Sequence, residues 1–175
     1  NEEPSVEDPI ISGVVTDMTE AKVTVLGVPD QPGVSAALFE PLAEANVNVD
    51  MIVQNTSTEG KTDISFTMPM ADLEEAISIV QKVAEAIGAA KVTHDNGIAK
   101  VSIVGAGMKS SPGIAAKMFR VLADEGVNIQ MISTSTIRVS IIIPSADMER
   151  AAIALHTAFG LDSVSYPHLR THETV

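Results

Sequence analysis

Two short turns hold the residue types best suited to chemistry. Asp30-Gln31-Pro32-Gly33 and Ser110-Ser111-Pro112-Gly113 each stand between a strand-like stretch of alternating residues and an apolar-periodic, helix-like one. A Pro-Gly turn in that position opens a helix, whose first amides lack intrahelical acceptors and, with the helix dipole, favour a carboxylate. Glycine also lets the backbone approach a ligand closely. Strand-to-helix turns favour Pro and Gly for local reasons too, so the turns alone do not make a site. Two asparagines tilt the balance. Asn48 and Asn128, 80 positions apart, sit in near-identical phrases, "VNVDMI" and "VNIQMI". A core needs the aliphatic residues of those phrases and has no need of the amide. An Asn side chain offers donors and an acceptor together, which suits a zwitterion or a hydroxyl. A helix N-terminus beside an asparagine describes an amino-acid pocket.

Other chemistries fit less well. The stretch "GAGMKSSPG" (105–113) resembles a phosphate loop, but the dinucleotide fingerprint needs glycine where Ser110 stands. The Walker pattern needs glycine directly before Lys109, where Met108 stands. His94, His156, His168 and His172 show no ligand constellation, and the chain has no cysteine for a thiolate site, a disulfide or a nucleophile. No metal and no cofactor is expected. Asp72, Glu74 and Glu75 read as a solvated helix start. An acylphosphatase-type loop would carry an Arg, and neither turn has one. A net charge of −12 repels phosphate backbones and anionic surfaces, and 3% aromatic content leaves little for stacking bases. No nucleic-acid partner is expected. No apolar run approaches the ~18 residues of a membrane span, and the acidic N-terminus is not a signal peptide. A cytoplasmic protein with no membrane partner is expected.

The elements that position these residues come from a duplication. Residues 21–52 align with 99–132: Lys22 pairs with Lys100, and from Gly33 and Gly113 onward the offset is 80. The second copy therefore has two extra loop residues. Each copy reads strand–helix–strand–strand–helix. "KVTVLGV" and "KVSIVGA" are first strands, followed by helices over roughly 34–45 and 114–125. "VNVDMIVQN" and "VNIQMISTS" are second strands, expected to lie beside the first and to begin near Asn48 and Asn128. "TDISFTMP" and "IRVSIIIP" are third strands ending at Pro69 and Pro144. The next helices have Asp72 and Asp147 as expected N-caps and Gly88 and Gly160 as stops. "AKVTHD" (90–95) closes the first copy, while "IISGVVTD" (10–17) is an orphan strand that can complete the second. The expectation is an α+β protein of two ferredoxin-like βαββαβ layers, the first inserted in the second: 22–95, and 10–17 with 98–162. Residues 1–9 read as an acidic linker, and 163–175 as a tail foreign to the fold. Pro41, inside the first helix, predicts a kink or an early end there. Beginning at Asn1 rather than Met suggests a processed subunit or a piece of a longer protein.

Together, "KVTVLGVPDQPG…VNVDMIVQN…TDISFT" and "KVSIVGAGMKSSPG…VNIQMISTS…IRVSIII" resemble the tandem ACT domains of aspartokinase over about residues 8–162. The likeness is to the regulatory β subunit, or C-terminal α-subunit region, of the lysine/threonine-regulated bacterial enzymes. Gln54-Asn55, "GAGMKS" and "ISTS" carry it beyond a generic ACT pattern. The resemblance implies a non-enzymatic, dimeric regulatory chain, with the catalytic domain or α subunit as partner. It implies feedback control of aspartate phosphorylation by threonine, alone or with lysine, bound at ACT–ACT interfaces. The positions carried over are Asp30, Gly33, Val34 and Ser35 on the first loop, with Asn48, Val49, Asp50 and Gln54 on the neighbouring strand. On the second copy they are Lys109, Ser110, Gly113, Ile114, Ala115, Asn128, Ile129 and Ser135. The family usually reads Ser-Thr-Ser-Glu-Ile where this chain has "STSTI", so Thr136 replaces an acid that could pair with a lysine ammonium. Threonine is therefore the expected effector. The competing reading is a free-standing ACT-repeat sensor that regulates a different partner.

Overall fold

Alternation of apolar and polar residues produces the strands. In the first unit β2 (Glu20–Pro29) buries Ala21, Val23 and Val25, and β4 (Lys61–Pro69) buries Ile64, Phe66 and Met68 on the same face. The two strands pair antiparallel with Val23 opposite Phe66 and Val25 opposite Ile64. β3 (Ile52–Gln54) lies on the far side of β4, and β5 (Lys91–Asp95) on the far side of β2. Helices α1 (Val34–Glu44) and α2 (Leu73–Ile87) cover the apolar face with Leu38, Leu42, Ala76 and Val80. Phe39 meets the Phe66 ring edge-on at 5.3 Å. Each large side chain taken out of water here contributes about 1.5–3 kcal/mol. The computed structural model describes residues 10–106 and 112–161. The expected linker and tail lie outside them, as do Lys109 and Ser110.

The second unit repeats the plan with one strand borrowed from the N-terminus. β6 (Ile98–Ala106), β7 (Met131–Thr134) and β8 (Arg138–Pro144) correspond to β2, β3 and β4, and β1 (Ile10–Asp17) takes the fourth place. β1 runs antiparallel to β6, from Ile10 opposite Ala106 to Asp17 opposite Lys100. α3 (Gly113–Asp124) and α4 (Met148–Ala158) bring Met118, Leu122, Ala151 and Leu155 onto Val101, Ile103, Val139 and Ile141. Residues 19–98 form one compact unit inserted into the other. The orphan strand completes the second layer as its pattern implied.

Several local expectations need correction. The second strands start later than the phrase around Asn48 suggests, at Ile52 and Met131. Helix termination is the reason. Asn46, at φ 62°, and Gly126, at φ 73°, take the left-handed conformation just past α1 and α3. Val47 and Val127 then donate back to the Leu42 and Leu122 carbonyls, each at 2.9 Å, in a Schellman cap that buries the valine. Asn48 and Asn128 fall immediately after this cap, before any strand. β3 is also not beside β2, because β4 occupies the intervening place. Pro41 does not shorten α1, which ends at Glu44 as α3, with Val121, ends at Asp124. Ala37, whose carbonyl loses its intrahelical donor, is exposed, so water can replace the bond. Asp72 and Asp147 occupy the N-cap positions of α2 and α4 but make no cap hydrogen bond, since a 3₁₀ turn precedes each helix.

Near its C-terminal end β2 changes register between Val25 and Val28. Gly27 lies there at φ +66°, and a Cβ on it would sit 2.8 Å from the Ala90 Cβ. Gly27→Ala should therefore cost about 3 kcal/mol from the strained φ and the clash, read as a lower urea midpoint at unchanged m-value. Asn46→Gly should raise stability by about 0.5–1 kcal/mol, because the native φ no longer strains a side chain.

Candidate effector-binding site

α1 and α3 begin differently from the other two helices. The first turns of α2 and α4 contain Glu74, Glu75 and Glu149, whereas those of α1 and α3 contain no acid, and no side chain caps any of the four. Gly33, at φ +92°, turns the chain into α1, with nothing within 4 Å of where a Cβ would be. The Ser35 and Ala36 amides, in the first turn, have no intrahelical acceptor. Gln31 donates to the Pro29 carbonyl at 3.0 Å, and Asp30 donates to the Gly60 carbonyl at 2.9 Å, which pins the loop against the β3–β4 hairpin. The Asp30, Asn48, Gln54 and Asn128 side chains make no hydrogen bond to any described residue and are exposed.

The sheet brings together only part of the expected set. β2 and β3 both run antiparallel to β4, so their C-terminal ends lie at one end of the sheet. Asp30, Gly33, Val34 and Ser35 follow β2 at that end, whereas Gln54 pairs with Ile64, level with Val25 and part-way along the sheet. Asn48, Val49 and Asp50 emerge at the other end. The Asp50 amide donates to the Thr67 carbonyl at 2.9 Å, and Thr67 pairs with Lys22 near the start of β2. The strand between Lys22 and Val28 separates Asn48–Asp50 from the Asp30–Ser35 loop by roughly 20 Å at about 3.3 Å per residue, with Gln54 between them. The second unit divides in the same way. Gly113, Ile114 and Ala115 start α3 after β6, while Asn128 and Ile129 precede β7, and the Gln130 amide donates to the Ile142 carbonyl at 2.8 Å. Ser135 stands beyond β7, with its amide 2.8 Å and its Oγ 3.5 Å from the Arg138 carbonyl, so its hydroxyl helps to close the turn.

The groups at the two ends are linked by edge strands. β3 and β7 are terminal in their sheets, with Ile52 54% and Ile132 45% exposed at equivalent positions. A groove of about 710 Å³ between α3 and α4, lined by Val121, Glu125, Arg150 and Ile153 among others, contains none of the candidate residues. Asp63 is a residue that pattern reading passed over. Its carboxylate accepts the Gly27 N–H at 2.9 Å, at the root of the loop. An acid inside "TDISFTMP", across from a glycine in the neighbouring strand, was the available signal.

A family model described as ACT domain matches residues 23–83 and again 101–159. The regulatory subunit of aspartate kinase from Thermus thermophilus matches with a TM-score of 0.82 and 41% identity, over 85% of this chain and 98% of that one. A structure of aspartokinase alpha and beta subunits matches at 0.82 and 47% identity, over 87% of this chain and 100% of that chain. The chain belongs to the aspartokinase regulatory ACT-domain family. An aspartate kinase of Stutzerimonas stutzeri strain A1501 is 50% identical over 163 residues, which are 93% of this chain and 40% of that protein. The aspartokinase of Pseudomonas aeruginosa strain PAO1 is 51% identical over the same shares. The chain thus spans about 40% of the length of the curated relatives it matches. These aspartokinase ACT repeats are its regulatory part and carry no kinase domain. No described helix is long and apolar enough to cross a membrane.

If the exposed polar residues serve a ligand rather than the fold, truncating them leaves the fold intact. Asn48→Ala, Gln54→Ala and Asn128→Ala should each change unliganded stability by less than about 0.5 kcal/mol in thermal melts.

Proposed function

We propose that this regulatory region binds threonine at an interface between ACT domains of two chains and so feedback-controls aspartate phosphorylation in the cytoplasm. The kinase would be an attached catalytic region or a separate α subunit. The observation that carries the reading is that the exposed Asp30 and Asn48 side chains, which hydrogen-bond to no described residue, lie at opposite ends of a sheet whose edge strand β3 is open. Within one unit, the Asp30–Ser35 loop and the Asn48 segment lie roughly 20 Å apart, a span no amino acid bridges. When two edge strands pair antiparallel about a two-fold axis, the end of one meets the start of the other. Asp30, Ser35 and Gln54 of one chain would then face the Asn48-type group of a second copy. Pairing would also cover Ile52 and Ile132 and satisfy the edge strands' free backbone groups.

The chemistry suits threonine. Its carboxylate would meet the open first-turn amides of α1, and the Asp30 carboxylate would take the ammonium. The asparagine and glutamine amides can both donate to and accept from the hydroxyl. Lysine would bind less tightly, because Thr136 offers no charge to its distal ammonium. Gln54 has no counterpart amide in the second unit, where Ser133 and Thr134 follow Ile132. The two pockets therefore differ, and the one built around Gln54 is proposed as the threonine site. A ligand bridging two chains favours whichever arrangement completes its site, a coupling of typically 1–3 kcal/mol to a kinase region.

Titration calorimetry on the purified chain should show threonine binding tighter than lysine, with Asn48→Ala and Gln54→Ala each weakening threonine about tenfold. Silence toward every amino acid would end the sensing proposal. In sedimentation, Ile52→Asp should shift the chain toward monomer and weaken threonine at the same time. A variant that stays dimeric and binds normally would remove β3 from the interface.

A further inference from the structure

We propose that Asp63 is the positioning residue of the first unit's effector pocket, holding the loop strand and the Gln54 strand at a fixed spacing. The inference rests on the effector reading above and adds a residue that meets no ligand itself. It begins from the bulge in β2, where the register slips between Val25 and Val28. The Gly27 amide there has no ladder partner on β4, and Asp63 Oδ1 accepts it at 2.9 Å. The main-chain carbonyl of the same residue accepts the Asn55 N–H at 3.1 Å, one residue past Gln54. Asp63 therefore grips both strands that deliver the pocket, one with its side chain and one with its backbone. Neighbouring bonds complete the clamp. The Thr62 hydroxyl donates to the Asn55 carbonyl. The Thr58–Lys61 pair closes the hairpin through Glu59, at φ 57°, and Gly60, at φ 77°. The carbonyl of Gly60 then receives the Asp30 N–H.

The second unit builds the same junction without a side chain. Arg138 stands where Asp63 does, and it cannot accept a hydrogen bond. There the Gly105 amide donates to the Ile137 carbonyl at 2.9 Å, and the Ser135 amide to the Arg138 carbonyl at 2.8 Å. Among the described residues, only the first unit makes its pocket spacing depend on a replaceable carboxylate.

Amide exchange and calorimetry on the full chain test the assignment together. In the unliganded protein, Asp63→Ala should speed exchange at Gly27, Asp30 and Asn55 by about tenfold while the core amides Val23 and Phe66 keep wild-type rates. Threonine affinity should fall about tenfold. Asp63→Asn keeps an acceptor oxygen and should restore both to within about twofold of wild type. Arg138→Ala should leave both unchanged. The assignment fails if Asp63→Ala leaves the three amides protected, if Asp63→Asn loses as much as alanine, or if Arg138→Ala does the same damage. A wild-type chain that binds no threonine refutes the effector reading, and the exchange arm still decides what Asp63 holds.

Discussion

The antiparallel pairing of β2 with β4, and of their equivalents β6 and β8, is the constraint on which the remaining structure depends. It sets Val23 against Phe66 and Val25 against Ile64, so the centre of the first core is assembled by one register. A slip of one residue would turn those side chains to the other face and bring Thr24 and Ser65 into the core. Because β4 sits beside β2, the helical crossover from β2 must carry β3 past it to the edge of the sheet. The edge strand is thereby left open, and the phrase around Asn48 is kept far from the loop around Gly33. The split candidate site follows from the topology and not from any choice of polar residue.

The duplication separates what packing demands from what it leaves free. Core positions recur as near neighbours in size: Leu38 with Met118, Leu42 with Leu122, Val47 with Val127 and Met51 with Met131, all buried. Close-packed interiors tolerate only such volume-conserving exchange. Polar junctions diverge. Asp63 gives way to Arg138, and Asn46 to Gly126 at the same left-handed turn. Glu75 becomes Arg150, which reaches the Glu125 carbonyl at 3.0 Å and ties α4 to the end of α3. One fold thus presents two surfaces whose chemistry can differ.

Periodicity made the helices and most strands legible, since apolar spacing reports which face is buried. The duplicated pattern also exposed its own missing piece, and so foretold where β1 goes. What periodicity could not carry was adjacency and termination. "VNVDMIVQN" alternates from Val47 onward, yet Asn46 ends α1 in a conformation that delays β3 until Ile52. Nothing in the apolar pattern says that the second strand lies beyond the third. Pro41 looked disruptive because a proline's local cost is easily read, whereas the tertiary packing of Leu38 and Leu42 that overrides it is not. Of the site, the loop and the asparagines were legible as residue types. Asp63 was not, because its role depends on a cross-strand bulge.

The pairing of β1 with β6 sets an order of events during synthesis. β1 leaves the ribosome before β6 and cannot find its partner until the whole intervening unit has been made, since Asp17 pairs with Lys100. The first unit, continuous in sequence, can fold while β1 waits as an unpaired strand with Ile11 and Val14 not yet packed on their core. Closing so long a loop as a flexible chain would be slow, but a folded insert replaces most of that search by a single docking step. The inserted unit is therefore also a folding scaffold, whose completion brings the two halves of its host within reach of each other.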